Sequence, residues 1–337
     1  MRIDLAGWTR EATDMDHRAF LGIFETADRL GFDGVWFNEF HFHQPRIPYP
    51  SPHLLAAAIL ARTERLRVGT SVLVLPLHHP LLLAEEIGQL DHQSGGRIDV
   101  GIGRGTAPET FVTLGVPHEE ARTRFEASLH LLRQALTTGS ASSDKGPWRF
   151  TETMVGPRPV QAPHPPIYVA GSTPETIGFA VANHLPLLFS LEPPEERQLA
   201  VLRSTVDDRV PSIIARSSLS RHVVVGRTAA DAGDLLEPLL AGLDRRRRHF
   251  AALQGRTVPA MDRDTLLAER FIWGDPEQCL AAIHALEAGT GVGAIRCVFN
   301  GNGVLAPDKT LGMMRLFAET VLPALRQAAA PGRVGHG

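Results

Sequence analysis

The sequence has 337 residues, 43% of them hydrophobic and 21% charged, with a formal net charge of −3. Such a composition supports a large core, and the charge gives no reason to expect nucleic acid or a membrane surface as a partner. No apolar run is long enough to span a bilayer, "MRIDLAGWTR" enters a strand pattern without a signal-peptide apolar region, and Cys279 and Cys297 have no metal-type spacing, so a reduced cytoplasmic location is expected.

Short runs rich in Val, Ile or Leu, bounded by Gly, Pro or Asp, predict eight strands: 2–8, 33–39, 66–75, 97–105, 166–171, 186–190, 220–226 and 293–300. Helical patterns fill the gaps. The first, 16–30, places Phe20, Ile23, Phe24, Ala27 and Leu30 on one face and stops at Gly31. Others lie near 52–64, 80–94, 118–138, 174–184, 193–207, 228–253, 276–289 and 308–328, with Pro80 and Pro174 well placed as helix starts. The cluster Arg245–Arg248 reads as a solvated helix face.

Eight strands, each followed by helix, predict an α/β fold of the (β/α)₈ TIM-barrel type, its apolar strands forming a parallel sheet covered on both faces. An open doubly wound sheet is the alternative. Two stretches exceed a minimal barrel: 139–165 after strand four and 254–275 after strand seven. Both are expected to be insertions forming lids or substrate-side loops. Residues 1–329 are expected to form one domain and 330–337 a flexible tail.

In a barrel, function sits at the C-terminal strand ends. Strand two ends in "WFNEFHFH" (36–43), which puts Glu39, His41 and His43 after an apolar run. The H-x-H spacing suits some metal sites, but the other strand ends offer no further ligand set, so no metal is expected. A hydrogen-bonded structural histidine is the plainer alternative. Gly69, Thr70 and Ser71 in strand three leave room either for a flat ligand or for a crowded interior layer. Strand four ends "GIGRGTAPETF" (101–111), where Gly101-x-Gly103-x-Gly105 departs from the dinucleotide fingerprint. There Arg104 would grip an anion or pair with Glu109 or Glu119. Strand five ends "VAGSTPET" (169–176): Gly171 and Ser172 turn, and Pro174-Glu175-Thr176 opens a helix. That helix start favours a phosphate, or is simply capped by Ser172 or Thr173.

Four blocks, "GFDGVWFNEFHF" (31–42), "LRVGTSVLVLPLHHPLLLAEEIGQLDHQSGGRIDVGIGRG" (66–105), "GVPHEEARTRFEASLHLL" (115–132) and "VAGSTPETIGFA" (169–180), together with "MMRLFAETVLPALR" (313–326), resemble the bacterial luciferase-like flavin-dependent monooxygenases. The resemblance covers most of the chain and is thinnest over 139–165 and 193–275. It implies a (β/α)₈ barrel binding reduced FMN, or F420 in some branches. It also implies a flavin-phosphate site made by Arg104, Arg122, Gly171, Ser172 and Thr176, and a non-proline cis peptide at Ser71-Val72 beneath the isoalloxazine. His41 becomes the expected catalytic acid or base, oriented by Glu39. Two departures stand out. Phe40 occupies the place of the first luciferase histidine, and Gly103 that of a reactive cysteine, so light emission is not expected. With no nicotinamide-binding unit visible, a separate flavin reductase is the implied partner, alongside dioxygen, a small organic substrate and, as in many relatives, a second copy of the chain. An F420-dependent hydride transferase, a flavin binder without activity and a metal-dependent hydrolase using His41 and His43 are the competing readings.

Overall fold

A computed structural model describes residues 1–7, 16–42, 49–191, 195–253, 257–259, 262–301 and 303–328. His43 and the tail 330–337 lie outside them.

The chain opens with β1 (Arg2–Leu5), α1 (His17–Leu30), β2 (Gly34–Phe37), α2 (Pro52–Leu60), β3 (Arg67–Thr70), β4 (Leu73–Val74), α3 (Pro80–Ser94) and β5 (Ile98–Gly103). It continues through α4 (Pro108–Thr113), α5 (Ala121–Thr138), the hairpin β6 (Ser140–Ser143) and β7 (Phe150–Met154), β8 (Ile167–Val169), α6 (Pro174–Ala182) and β9 (Leu188–Phe189). Then come α7 (Glu195–Ser204), α8 (Val210–Arg216), β10 (Ser218–Val225), α9 (Ala229–Leu253), α10 (Arg263–Arg270), β11 (Phe271–Gly274), α11 (Pro276–Thr290), β12 (Ala294–Val298) and α12 (Pro307–Ala328).

The central sheet is parallel. β1 pairs with β2, β2 with β3, β3 with β5, and β5 with β8. A parallel bridge joins Val169 to Leu187, next to β9. β9 pairs with β10, β10 with β12, and β12 with β1 in the register Arg2↔Ala294 to Leu5↔Cys297. All six residues of β5 and all eight of β10 are buried, as a sheet covered on both faces requires.

Local chemistry explains the helices. Asp16 accepts the Ala19 N–H at the start of α1, and Gly31 ends that helix at φ 87°, a left-handed conformation that glycine adopts without penalty. Phe20, Ile23, Phe24 and Ala27 are buried as the periodicity predicts. Pro80 and Pro174 open α3 and α6.

Three features differ from the sequence expectation. The stretch 66–75 is not one strand: β3 and β4 are separated at the cis peptide Ser71-Val72. The region 139–165 forms the antiparallel β6–β7 hairpin rather than plain loop. The region 254–275 contributes α10 and a further strand, β11, which pairs with the C-terminal half of β10. Both extra pieces follow polar or loop-forming residues that mask a short strand pattern.

Inside the sheet lies a charged layer. Arg2 bridges Asp4 (Nε–Oδ1 2.7 Å) and Asp99 (Nη1–Oδ2 2.8 Å), and Arg67 Nη2 lies 2.6 Å from Asp99 Oδ1. The Trp36 indole N–H donates to Asp4 at 2.7 Å. A Cβ on Gly69 would fall 2.3 Å from that indole ring. The small residues of β3 thus make room for Trp36, which decides between the two readings of Gly69 in favour of a crowded interior.

Candidate functional site

The C-terminal ends of β2, β3, β5 and β8 meet around a cavity of about 350 Å³, a size usual for small-molecule sites. Glu39 and His41 come from the end of β2, Ser71 and Val72 from β3, Gly103 and Arg104 from β5, and Gly171, Ser172 and Thr176 from the turn into α6. Nine of the ten residues expected to bind the cofactor or act in catalysis therefore line one cavity.

Backbone contacts fix the floor. The Glu39 N–H donates to the Val72 carbonyl at 3.2 Å and the Ser71 N–H to Phe37 at 2.7 Å, so the cis step is tied to the end of β2. Thr70 Oγ1 both donates to the Gly101 carbonyl (2.8 Å) and accepts the Gly101 N–H (2.9 Å), which locks β3 to β5. A Cβ on Gly103 would sit 2.5 Å from Val72 Cγ2, and one on Gly171 2.4 Å from Thr176 Cγ2. Glycine suits both places because the Val72 and Thr176 side chains close on the Cα.

The tenth residue, Arg122, stands just outside. Its Nε donates to Glu126 Oε1 at 2.9 Å. It lines a narrow cleft of about 30 Å³ together with Arg104, Thr176 and Phe179, and that cleft adjoins the main cavity through Arg104, Ala170 and Thr176. Of the two candidate caps of α6, Thr173 is the one used: its hydroxyl accepts the Thr176 N–H at 3.3 Å. The Glu175 carboxyl is held below its usual range by its own backbone N–H, then by the Thr173 hydroxyl, with the fields of Arg122 and Arg104 adding to them. Two guanidiniums and a helix N-terminus thus favour negative charge at one place.

The opposite wall carries the titratable groups. Glu39 is 5% exposed. His41 Nε2 lies 2.7 Å from its Oε1, His78 Nε2 lies 2.8 and 3.0 Å from its two oxygens, and the Val74 N–H donates to Oε2 at 2.6 Å. Burial alone would raise the Glu39 pKa, but the hydrogen bonds from His41 and His78, the His78 charge and the Val74 N–H outweigh it and bring it down to about 2. His78 shows the converse: burial opposes its charge, while Glu39, with Glu86 further off, raises its pKa above the usual value. An ionised carboxylate only accepts hydrogen bonds, so both imidazoles donate from Nε2. That leaves Nδ1 as the nitrogen through which His41 can exchange a proton.

His78 is the residue that sequence reasoning missed. In the sequence, "LPLHHP" (75–80) shows only two histidines before a helix start. The structure gives them separate tasks. His79 caps α3, accepting the Leu81 N–H at 3.3 Å, and its ring meets Trp148 edge-on at 4.8 Å. His78 turns back onto Glu39. Among the described residues no group of three or more His, Cys, Asp or Glu side chains could hold a metal ion, and no helix is long and apolar enough to cross a membrane.

Of the aromatic residues around strand two, Phe40 lines the cavity. Phe37 faces the helices, its ring edge-on to Phe24 at 5.3 Å, Trp36 is buried inside the sheet, and Phe42 is 63% exposed. Alternation along β2 separates Trp36 from Phe37.

This chain belongs to the luciferase-like monooxygenase family, whose profile matches residues 3–293. It is 26% identical over 331 residues to the alkanal monooxygenase alpha chain of Photorhabdus luminescens, covering 89% of each chain. Over 161 residues it is 34% identical to the oxygenase component of a flavin-dependent trigonelline monooxygenase from Acinetobacter baylyi, 47% of this chain and 44% of that one. Among solved structures it resembles monooxygenase RslO1 from Streptomyces bottropensis (TM-score 0.80, 25% identity, 96% of this chain and 100% of that one). The oxygenating constituent of 3,6-diketocamphane monooxygenase from Pseudomonas putida, in complex with FMN, superposes with a TM-score of 0.73 at 20% identity over 96% and 98% of the two chains. The coenzyme F420-dependent tetrahydromethanopterin reductase of Methanopyrus kandleri does so at 0.70 and 17% identity over 96% and 98%.

Proposed function

We propose that this protein is a flavin-dependent monooxygenase that takes reduced FMN from a separate reductase and oxidises a small organic substrate with dioxygen. The observation that carries the proposal is the polarity of the cavity: a cationic, helix-capped end at Arg104 and Arg122, and a histidine–carboxylate end at His41 and Glu39. That arrangement suits a cofactor with a phosphate tail and a flat reactive ring. In this reading Arg104, Arg122, Gly171, Ser172 and Thr176 hold the phosphate, while Ser71, Val72 and Gly103 lie under the ring. His41 moves a proton at Nδ1, and Glu39 holds its Nε2–H. Phe40, Val74, Leu77 and Phe111 line the cavity and keep water from the reacting atoms. Reduced flavin, when bound, supplies the electrons that activate dioxygen. The relative described as an oxygenase component supports a separate reductase.

The same reading makes residues 1–329 one domain and the run of strand pairs from β1 through β10 and β12 back to β1 a closed (β/α)₈ barrel, with insertions after its fourth and seventh strands. A cytoplasmic homodimer is the form we expect, checked by sedimentation. The second reading, hydride transfer with F420, is supported by the fold shared with the Methanopyrus reductase.

Anaerobic titration with reduced FMN and with reduced F420 tests the proposal. Tight binding of FMN is expected, and Arg104→Ala should weaken it by about 1.5–3 kcal/mol. Binding of neither cofactor below millimolar concentration would sink the flavin reading; preference for F420 would move the protein to the second. Oxygen uptake in excess of peroxide release, with a candidate substrate, distinguishes a monooxygenase from a flavin binder without activity.

A further inference from the structure

Among the described residues, the charged layer inside the sheet has more cations than carboxylates. Three guanidiniums, Arg2, Arg67 and Arg296, face two carboxylates, Asp4 and Asp99. Arg2 and Arg67 are paired with those carboxylates and keep 23% and 25% of their side chains exposed. Arg296, on β12, is different. It is 4% exposed, and among the described residues no carboxylate pairs with it. Its Nη1 donates to Ser71 Oγ at 2.6 Å and its Nη2 to the Phe189 carbonyl at 2.5 Å. The guanidinium lies 5.9 Å from the Trp36 ring centre, and its buried Nε has no hydrogen-bond partner among the described residues.

The titratable groups that act on Arg296 are Asp4 on β1 and Tyr168 on β8. Burial dominates and pulls the guanidinium down to about 10, against the pull of Asp4 and then Tyr168, so it remains charged at neutral pH. Burial raises the Asp4 carboxyl as well, against the pull of Arg2 and the Trp36 hydrogen bond. A buried cation without a counter-ion is costly. Here it sits directly beneath Ser71, a residue of the cavity floor. Because Ser71 Oγ accepts from Arg296, its own hydroxyl proton is free to point toward the cavity.

We infer that Arg296, acting through Ser71, is the counter-charge for a reduced, anionic flavin ring, and that the cavity therefore prefers reduced over oxidised flavin. The inference rests on the flavin reading above. An oxidised ring is neutral; a reduced ring deprotonated at N1 carries a negative charge, which a cation in a low-dielectric interior attracts strongly. The role is one of positioning and electrostatics: no proton or bond changes at Arg296.

The test compares dissociation constants of reduced and oxidised FMN under anaerobic conditions, with the midpoint potential of the bound flavin as a second readout. The parent should bind the reduced form more tightly. Arg296→Met should narrow the reduced-to-oxidised affinity ratio by roughly tenfold, which makes the midpoint potential about 30 mV more negative. Arg296→Lys, which keeps the charge, should retain most of the ratio. Arg296→Gln, which keeps donors for Ser71 and Phe189, is made in parallel in case the methionine variant does not fold, and should narrow the ratio likewise. If removal of the charge weakens both forms by the same factor, the residue only cross-links Ser71 to β9 and the inference falls while the flavin reading stands. If the parent binds neither form, both fall.

Discussion

Glu39 shows how one side chain acquires two partners that pull its chemistry in one direction. Its pKa is brought to about 2 from the usual 4.5, so its contribution to stability is complete above 4.5 and is lost as pH falls toward 2. His78 is shifted the other way, above 6.5, so its contribution is complete below 6.5 and is lost as pH rises through its native value. Together they stabilise the fold most between about 4.5 and 6.5. The difference in unfolding free energy between the parent and His78→Asn, measured by denaturant titration, should therefore be largest in that window and shrink on both sides; a difference constant with pH would refute the pairing. Glu39→Ala leaves two imidazoles without their acceptor and should cost about 3 kcal/mol. Legibility at this scale was uneven. Glu39 and His41 could be found because they end an apolar strand, and Arg104 because it follows the glycines of β5. His78 could not, because its task depends on how the chain turns after Pro76, and Arg296 reads in sequence as one polar residue inside a strand. A buried charge is recognised by what surrounds it, and those neighbours come from other strands.

Two helix starts in this chain are built alike, yet they do different things. Asp275 caps α11 by a capping box with Gln278, on the far side of the sequence from the cavity residues. Thr173 caps α6, whose first turn lines the cavity. Replacing either cap with alanine should cost about 1 kcal/mol of stability. Only Thr173→Ala should also weaken FMN binding, since it loosens Thr176. Equal effects of both variants on FMN affinity would remove α6 from the phosphate site. The proline–turn pattern made these helix positions readable in advance. The division of β3 from β4 was less so: "VGTSVLVL" (68–75) looks like unbroken strand, and the interruption at Ser71-Val72 came only from family resemblance. β11 escaped because a four-residue strand after a polar helix leaves too short a pattern to separate from loop.

At the scale of the whole molecule, the alternation of strands with helices was legible because each buried strand writes its own apolar run, but the count was not: eight strands were expected, and the parallel sheet of the described residues has ten. Pairing order was not written locally. That β1 lies between β12 and β2 depends on a strand from the far end of the sequence. If the chain is one domain, chemical unfolding followed by circular dichroism and by tryptophan fluorescence should give coincident single transitions. Separate midpoints would divide the chain into independently folding parts.

The pairing of Arg2 with Ala294 has a consequence in time. Ribosomes deliver the chain from its N-terminus, so Glu39, His41, Ser71, Arg104 and Thr176 all emerge long before β12. Throughout that interval one edge of β1 waits for a strand not yet made, and the cavity floor lacks the cation that later lies beneath it. Long-range pairing of this kind is slow and leaves sheet edges open to wrong partners. The residues of the site up to Thr176 are therefore all made while its floor still lacks Arg296, which arrives with the last strand.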